Sequence, residues 1–269
     1  MIKLIAIDLD GTLLTDKKEV SLRNKETLKK AKAQGVKIVL CTGRPLMAIR
    51  PYLELLDLRQ AGDYSITFNG GLVQKNDSGE IVEKVTLTKD DVTELIALAK
   101  EMNMPLDILS DEIVLCLPTS TTHHTIYPSL NPLLTYKEAT EAELSTYTLF
   151  NKAVTAYDQE LLDQWIANIP ASIKEKFEVI KTRNNLLEFM PKGVTKAAGI
   201  ARLAADLGIT QAEVMAIGDE ENDLSMVEYA KVGVAMDNAV PVVKAAADFI
   251  TTTNEEDGVA RAIEKFVLN

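Results

Sequence analysis

The sequence of 269 residues has only two cysteines and two histidines. Cys41 and Cys116 lie far apart, and neither belongs to a Cys-x-x-Cys pair, which disfavours a disulfide framework and a cysteine zinc site. We expect both to be reduced, buried residues of a cytoplasmic protein. His123 and His124 are neighbours in a threonine-rich stretch. Because histidine metal sites usually draw ligands from several elements, we expect these two to be surface or packing residues.

Long apolar runs and dense basic runs are also missing. No apolar run approaches the roughly 18 residues that a membrane span needs, and Asp8 interrupts the short N-terminal one, which argues against a secretory signal. The most basic stretch, Lys25–Lys32, has the spacing of a solvated helix face. The net charge is -11, the opposite of what a nucleic-acid binder needs. We therefore expect a cytoplasmic monomer or homodimer whose partner is a small molecule, not a membrane or a nucleic acid.

Strands and helices alternate at both ends of the chain. Apolar runs bounded by glycine, proline and polar turns predict three strands separated by two helices near the N-terminus, and the same alternation returns after Pro191. The N-terminal strands are Leu4–Ile7, Val36–Cys41 and Tyr64–Phe68, and the helices are Ser21–Gln34 and Pro45–Leu56. Such alternation at short spacing indicates a parallel sheet covered by helices.

The middle of the chain follows another pattern. A helix that Thr88 caps is followed by short strands, and a second helix by further strands, which indicates an antiparallel α+β unit. The predicted strands of this segment are Leu106–Leu109, Glu112–Leu117, Tyr147–Tyr157, Phe177–Lys181 and Leu186–Phe189. The predicted fold class is therefore α/β: a doubly wound, Rossmann-like parallel-sheet core formed by residues 1–84 and 191–269, with an α+β cap domain inserted at residues 85–190.

Two carboxylates follow the first strand directly. Since side chains alternate along a strand, Asp8 and Asp10 leave on the same side while Leu9 points to the other. An Asp-Gly pair such as Asp10-Gly11 is also ordinary turn chemistry. Two carboxylates brought together repel each other unless a cation or a proton lies between them.

Other predicted strands of the core end in polar clusters too. Thr42-Gly43-Arg44 follows the second strand, Gly218-Asp219 begins an acidic stretch that runs to Asp223, and Lys196 begins a helix. In open α/β sheets, sites form outside the carboxyl ends of the strands. Grouped carboxylates suit Mg2+ together with a phosphate, and a hydroxyl, backbone N–H groups and a lysine suit the phosphate oxygens. One carboxylate then remains as a nucleophile and another as a proton donor.

The sequence resembles the haloacid dehalogenase superfamily, and within it the Cof-type sugar-phosphate phosphatases with a type-2 (C2B) cap. The resemblance covers essentially the whole chain, in the order of that family. The matching stretches are Asp8–Leu14, Thr42–Arg44, Lys192–Lys196, Gly218–Asp223 and Ala235–Ala239. It implies a Mg2+-dependent phosphatase that hydrolyses small phosphomonoesters, with the insert acting as a lid that sets substrate specificity.

The resemblance also implies a role for each matching position. Asp8 attacks phosphorus and becomes an aspartyl-phosphate, and Asp10 protonates the leaving alkoxide and then activates the hydrolytic water. Mg2+ would be held by Asp8, the backbone carbonyl of Asp10 and Asp219, with Asp223 binding the metal directly or supporting its ligands. The residues implied in phosphate binding are Leu9, Thr42, Gly43, Lys196 and Asn222.

Three alternatives remain open from the sequence. A phosphomutase shares the nucleophile but returns the phosphoryl group to its substrate. A signalling receiver also carries a phosphorylated aspartate at the mouth of a sheet, although receivers have no inserted cap and place their acidic pair on another strand. A non-catalytic phosphosugar sensor is disfavoured because no catalytic group is missing. Arg44 and Asn69, near strand ends, would either contact substrate or serve only structure.

Overall fold

The computed structural model describes residues 1–110, 113–132 and 134–268 of the chain. These residues form fourteen strands and ten α-helices. The strands are β1 (Leu4–Ile7), β2 (Lys37–Cys41), β3 (Tyr64–Thr67), β4 (Leu72–Lys75), β5 (Ile81–Lys84), β6 (Leu106–Ser110), β7 (Ile113–Leu117), β8 (Thr135–Glu138), β9 (Lys152–Ala156), β10 (Phe177–Arg183), β11 (Leu186–Pro191), β12 (Val214–Gly218), β13 (Val232–Ala235) and β14 (Phe249–Ile250). The helices are α1 (Leu22–Ala33), α2 (Leu46–Leu55), α3 (Lys89–Glu101), α4 (Tyr127–Leu130), α5 (Gln159–Asn168), α6 (Ala171–Lys176), α7 (Lys196–Asp206), α8 (Leu224–Tyr229), α9 (Pro241–Ala246) and α10 (Gly258–Ile263).

The chain divides into two compact units. The first joins Met1–Lys84 to Thr195–Asn269, and the second is the continuous segment Val85–Val194. Within the described residues, no helix combines the length and the apolar character that crossing a membrane requires.

The first unit is built on an eight-stranded sheet with the order β14-β13-β12-β1-β2-β3-β4-β5. The strands from β14 to β3 are parallel, and β4 and β5 continue the sheet as an antiparallel edge. The central strand β1 is buried throughout and pairs with β2 on one side and β12 on the other. The order reverses at β1, and such a switch point is where open α/β sheets bind ligands.

Separate apolar clusters cover the two faces of this sheet. Alternate residues of β1 belong to different clusters: Ile5 and Ile7 to one, Leu4 and Ala6 to the other. The first cluster includes buried residues of α1, α2 and α10, and the second includes buried residues of α7 and α8. The predicted doubly wound α/β fold is confirmed, because helices cover both faces of a mainly parallel sheet.

The second unit contains a six-stranded sheet with the order β10-β11-β9-β6-β7-β8. Neighbouring strands are antiparallel except β7 and β8, which are parallel. Its apolar core contains residues of α3 and α5, among them Trp165. Trp165 lies edge-on to His123, whose Nδ1 is 3.2 Å from the Tyr157 hydroxyl oxygen. His123 is thus a packing residue of this unit, as we expected.

Several sequence-based boundaries differ from the structure. The prediction missed α4, β8 and α6, which lie in stretches rich in proline and short of apolar periodicity. The predicted strand Tyr147–Tyr157 is shorter, because only β9 pairs within the sheet and Phe150 makes an isolated bridge to Leu87. Pro45 is the N-cap of α2, with an extended backbone, and not its first helical residue. The predicted strand Glu112–Leu117 is found as β7, and Glu112 lies outside the described residues.

Candidate active site

Asp8 immediately follows β1 and is almost completely buried. Its backbone N–H donates to the carbonyl of Ile217 in β12, which extends the parallel ladder by one residue. Gly11 then turns the chain with φ +81°. A β-carbon on Gly11 would lie 2.2 Å from Oδ2 of Asp219, so only glycine allows the acidic loop to come this close.

Lys196 begins α7 and is fully buried. Its Nζ donates to Oδ1 of Asp8 and to Oδ1 of Asp223, each at 2.5 Å. Burial alone would lower the pKa of Lys196, but the carboxylates of Asp223 and Asp8 outweigh it and hold this pKa above its ordinary value. Lys196 is therefore a permanent positive charge beside the predicted nucleophile.

The acidic loop after β12 supplies two further carboxylates. Asp219 accepts a 2.6 Å hydrogen bond from the Thr12 hydroxyl. Asp223 is fully buried, and its Oδ2 accepts from the backbone N–H groups of Asp219 and Glu220. The loop is thus held in shape by its own carboxylate, while the other oxygen of Asp223 faces Lys196.

Asp8, Asp219 and Asp223 form a cluster of possible metal ligands, with one oxygen from each lying within 4.8 Å of the others. Burial raises the pKa of Asp8 and that of Asp219, since taking a carboxylate out of water disfavours its charged form. If all three were ionised, they would carry more negative charge than Lys196, which contacts Asp8 and Asp223, can offset. This donor set of hard oxygens fits a divalent cation such as Mg2+.

Asp10 has different neighbours from Asp8. Its carboxylate accepts from Nε and Nη2 of Arg44 at 2.7 and 2.5 Å and from Nζ of Lys18 at 2.7 Å. Burial alone would raise the pKa of Asp10, but the hydrogen bonds and charges of Arg44 and Lys18 outweigh burial and hold it well below its usual range. In this arrangement Asp10 is an ionised acceptor.

The Thr42-Gly43 turn follows β2 at the same edge of the sheet. Thr42 is buried, and its hydroxyl oxygen accepts from the backbone N–H of Arg44 at 3.2 Å. Asn69 donates its backbone N–H to the Thr42 carbonyl and accepts through Oδ1 from Nδ2 of Asn222 at 3.0 Å. The structure thus links the Thr42 turn to the acidic loop through Asn69.

Leu9 is the one predicted phosphate-binding residue whose side chain lies away from these groups. It is fully buried in an apolar cluster of the first unit. Its carbonyl accepts from the backbone N–H of Leu14 at 2.9 Å. Any contact between Leu9 and a phosphate would therefore come from its backbone.

Sequence reasoning assigned no role to Thr12 or Lys18 and left that of Arg44 open, yet the structure places all three among these groups. Thr12 binds Asp219, Lys18 binds Asp10, and Arg44 binds Asp10 with two hydrogen bonds. Arg44 had a signal, because it belongs to the Thr42-Gly43-Arg44 stretch, although its role remained open. Lys18 had none, since one lysine in an exposed turn resembles any other.

Comparison with known proteins identifies the family. Residues 5–263 match the haloacid dehalogenase-like hydrolases. The chain belongs to this family. The predicted membership is confirmed, and so is the prediction of a hydrolase of the phosphatase type.

Two known proteins resemble the chain along its whole length. The Bacillus subtilis (strain 168) protein YxeH is 40% identical over 268 residues, which cover 100% of this chain and 99% of YxeH. The 5-amino-6-(5-phospho-D-ribitylamino)uracil phosphatase YcsE of the same organism is 30% identical over 267 residues. The matched region covers 99% of this chain and 96% of YcsE.

Solved structures of the family agree with these relatives. A haloacid dehalogenase-like hydrolase from Bacteroides thetaiotaomicron superposes with a TM-score of 0.82 at 35% identity, covering 98% of this chain and 99% of its own. The subclass IIB sugar phosphatase BT4131 gives a TM-score of 0.82 at 27% identity, covering 99% and 100%. The haloacid dehalogenase-like fold therefore extends over both units.

Proposed function

We propose that this phosphatase hydrolyses small phosphomonoesters, in particular sugar phosphates, with Mg2+ and through an aspartyl-phosphate on Asp8. The observation that carries the proposal is the buried pairing of Lys196 with both Asp8 and Asp223, beside Asp219. A lysine and a group of carboxylates at the carboxyl ends of parallel strands suit a phosphoryl group accompanied by a divalent cation.

The first step transfers the phosphoryl group to the protein. A carboxylate oxygen of Asp8 attacks phosphorus, and the bond between phosphorus and the ester oxygen breaks. Asp10 gives the leaving alkoxide a proton, for which its carboxyl must first be released from Arg44 and protonated. Lys196 stabilises the negative charge on the phosphoryl oxygens, and Thr42, Gly43 and Asn222 orient them.

The second step restores the enzyme. Asp10, now ionised, takes a proton from water, and the water oxygen attacks phosphorus as the bond to Asp8 breaks. Asp8, the Asp10 carbonyl and Asp219, supported by Asp223, would hold Mg2+, which supplies positive charge to the phosphoryl oxygens when bound. The paired Arg44 and Lys18 favour the ionised Asp10 that this step needs.

The proposal of sugar phosphates rests on the relatives. One similar solved structure is described as a sugar phosphatase, and the name of YcsE describes a substrate with a phosphorylated ribityl chain. Both names describe a phosphate carried by a polyhydroxylated carbon chain. A panel of phosphorylated sugars and polyols, assayed with Mg2+ for released inorganic phosphate, tests this part of the proposal.

The mechanism is tested by Asp8→Asn. We expect this variant to lose release of p-nitrophenol from p-nitrophenyl phosphate by at least about 1,000-fold, since an amide cannot form the covalent intermediate. Asp57→Asn, an exposed change in the same unit, is the matched control and should keep wild-type turnover. Normal turnover by Asp8→Asn would refute the mechanism. Isomerised hexose phosphate in place of inorganic phosphate, followed by phosphorus NMR, would instead identify a phosphomutase.

A further inference from the structure

A left-handed turn follows β3 at the edge of the sheet where the site lies. Phe68, Asn69 and Gly70 have φ values of +50°, +54° and +101°. Residues other than glycine seldom adopt positive φ, and a bulky aromatic residue does so least readily. Such a conformation persists only where the surroundings enforce it, and these turns concentrate at functional sites. The contacts of this turn therefore indicate what it is for.

The first contact is with the Thr42-Gly43 turn. The backbone N–H of Asn69 donates to the Thr42 carbonyl at 3.0 Å. The Asn69 amide also lies against Gly43, where a β-carbon would be 3.1 Å from Oδ1 and 3.2 Å from Nδ2. Asn69 thus fixes the position of the Thr42-Gly43 backbone through one hydrogen bond and a close packing contact.

The second contact is with the acidic loop. Nδ2 of Asn222 donates to Oδ1 of Asn69 at 3.0 Å, across a separation of 153 residues in the chain. Asn69 is completely buried, whereas Asn222 is partly exposed. This hydrogen bond therefore orients the partly exposed Asn222 amide against a side chain that is itself completely buried.

The third contact is with the start of α7. A β-carbon on Gly70 would lie 2.0 Å from the carbonyl oxygen of Thr195, the N-cap of the helix that Lys196 begins. Nη2 of Arg202, further along α7, donates to the Gly70 carbonyl at 2.8 Å. The turn therefore also sets how closely the helix bearing Lys196 approaches the sheet.

We infer that the turn Phe68–Gly70 positions the phosphate-binding groups, and that Asn69 is its positioning residue. Within this turn, Asn69 contacts the Thr42-Gly43 turn and the Asn222 amide, and Gly70 contacts the start of the helix of Lys196. These are the groups proposed above to hold one phosphoryl group. The inference rests on that proposed function. Asn69 links the Thr42-Gly43 turn to the Asn222 amide, so its own amide contributes to oxyanion binding by orienting these two groups, without touching the reacting atoms.

The test separates the amide of Asn69 from its backbone conformation. Asn69→Gly keeps the left-handed turn, because glycine adopts positive φ freely, and removes the amide. We expect about tenfold weaker inhibition by orthovanadate and by inorganic phosphate, and a similar loss of kcat/KM for p-nitrophenyl phosphate. Asn103→Gly is the matched control, an asparagine with φ +51° in the second unit, and should leave all three constants unchanged.

A double-substitution cycle identifies the partner. If Asn69 acts by orienting Asn222, then adding Asn222→Ala to Asn69→Gly weakens orthovanadate inhibition by much less than Asn222→Ala does in the wild type. Additive losses, or wild-type inhibition constants in Asn69→Gly, would overturn the inference.

Two further measurements keep the test decisive. If the melting temperature shows that Asn69→Gly does not fold, Arg202→Met loosens the same turn from the α7 side, and unchanged orthovanadate inhibition in that variant would count against the inference. Calorimetric binding of inorganic phosphate tests the positioning even if no ester is turned over. The two hypotheses are thus tested separately. Phosphate binding by Asn69→Gly tests the positioning role of Asn69, and turnover by Asp8→Asn tests the proposed catalytic mechanism.

Discussion

Arg44 donates two parallel hydrogen bonds to the carboxylate of Asp10, from Nε to Oδ2 at 2.7 Å and from Nη2 to Oδ1 at 2.5 Å. A fork of this kind is among the strongest arrangements that a guanidinium makes with a carboxylate, and it fixes direction as well as charge. Asp10 is therefore oriented and ionised in the same structure that presents Asp8 to Lys196. To act as a proton donor, the Asp10 carboxylate has to lose its hydrogen bonds to the Arg44 guanidinium and gain a proton.

Replacing Arg44 should move the pH dependence of catalysis. In Arg44→Met the carboxyl of Asp10 loses the stronger of the two partners that lower its pKa and keeps Lys18, so its pKa rises and a larger fraction carries the proton at a given pH. We expect the pH optimum for an alkyl phosphate to shift upward by about one pH unit, with little shift for p-nitrophenyl phosphate, whose leaving group needs no proton. The measurement is kcat/KM against pH for both esters.

Arg50→Met is the control for this change, because Arg50 is exposed on helix α2, which begins shortly after Arg44. It should keep the wild-type profile with both esters. A downward shift of the optimum in Arg44→Met, or an equal shift for the two esters, would contradict the role of Arg44 as the residue that keeps Asp10 ionised.

When divalent cations are removed, the free energy of unfolding should decrease as the pH rises. Because burial raises the pKa of Asp8 and of Asp219 in the folded state, the folded protein binds more protons than the unfolded one above the ordinary carboxylate range near pH 4. The free energy of unfolding then falls as the pH rises. We expect the melting temperature in EDTA to fall between about pH 5.5 and 8.5, and saturating Mg2+ to remove most of this fall.

Asp219→Asn tests whether the carboxylate cluster is what binds the cation. It removes one carboxylate from the cluster, so the decline of the melting temperature with pH in EDTA should weaken and Mg2+ should stabilise the variant less. A melting temperature that does not respond to Mg2+ at pH 8 would show that the carboxylate cluster binds no divalent cation.

The second unit contains a buried ion pair whose stability contribution can be measured separately. Lys152 of β9 donates to Glu188 of β11, and both side chains are almost fully buried. Lys152→Met leaves the Glu188 charge buried without this partner, which should lower the free energy of unfolding by about 3–5 kcal/mol. The double variant Lys152→Met/Glu188→Leu should recover most of the loss, since an apolar pair replaces the ionic one.

Trp165 makes this measurement specific. It is the single tryptophan of the chain and lies in the core of the second unit, so its fluorescence in urea follows that unit alone. Lys181→Met is the control, because Lys181 pairs with Asp163 near the surface and its loss should cost less than about 1 kcal/mol. An equal cost for Lys152→Met and Lys181→Met would argue against a buried, desolvated pair.

The sequence alone was sufficient to predict the main strands and helices of the first unit. β1 could be predicted because an apolar run ends abruptly in two aspartates, and α1 because apolar residues recur at helical spacing and Gly35 follows its end. Sites in such proteins lie at the carboxyl ends of parallel strands, and this rule predicted that Asp8 and Lys196 lie close together although 188 residues separate them in the sequence. These inferences depend on local patterns and on a general property of such sheets.

What the sequence could not predict depends on long-range contacts. Nothing local distinguishes Lys18 from other exposed lysines, and its bond to Asp10 exists only because the turn after β1 folds back. The left-handed backbone of Phe68 has no local signal either, although the Asn69-Gly70 pair that follows it is typical of a turn. In the second unit, β8 has few apolar residues, and only its parallel pairing with β7 makes it a strand.

The place of β1 between β2 and β12 has a consequence for how the protein is made. As the chain emerges from the ribosome, β1 meets β2 early, but β12 follows only some 210 residues after β1, as the pairing of Leu4 with Val214 shows. The segment Val85–Val194 is continuous and can complete its own contacts in between. Until then β1 has one open edge, the kind of edge that invites aggregation. Lys196, Asp219 and Asp223 are also supplied late, so a nascent chain acquires its carboxylate cluster at nearly the same moment as its finished sheet.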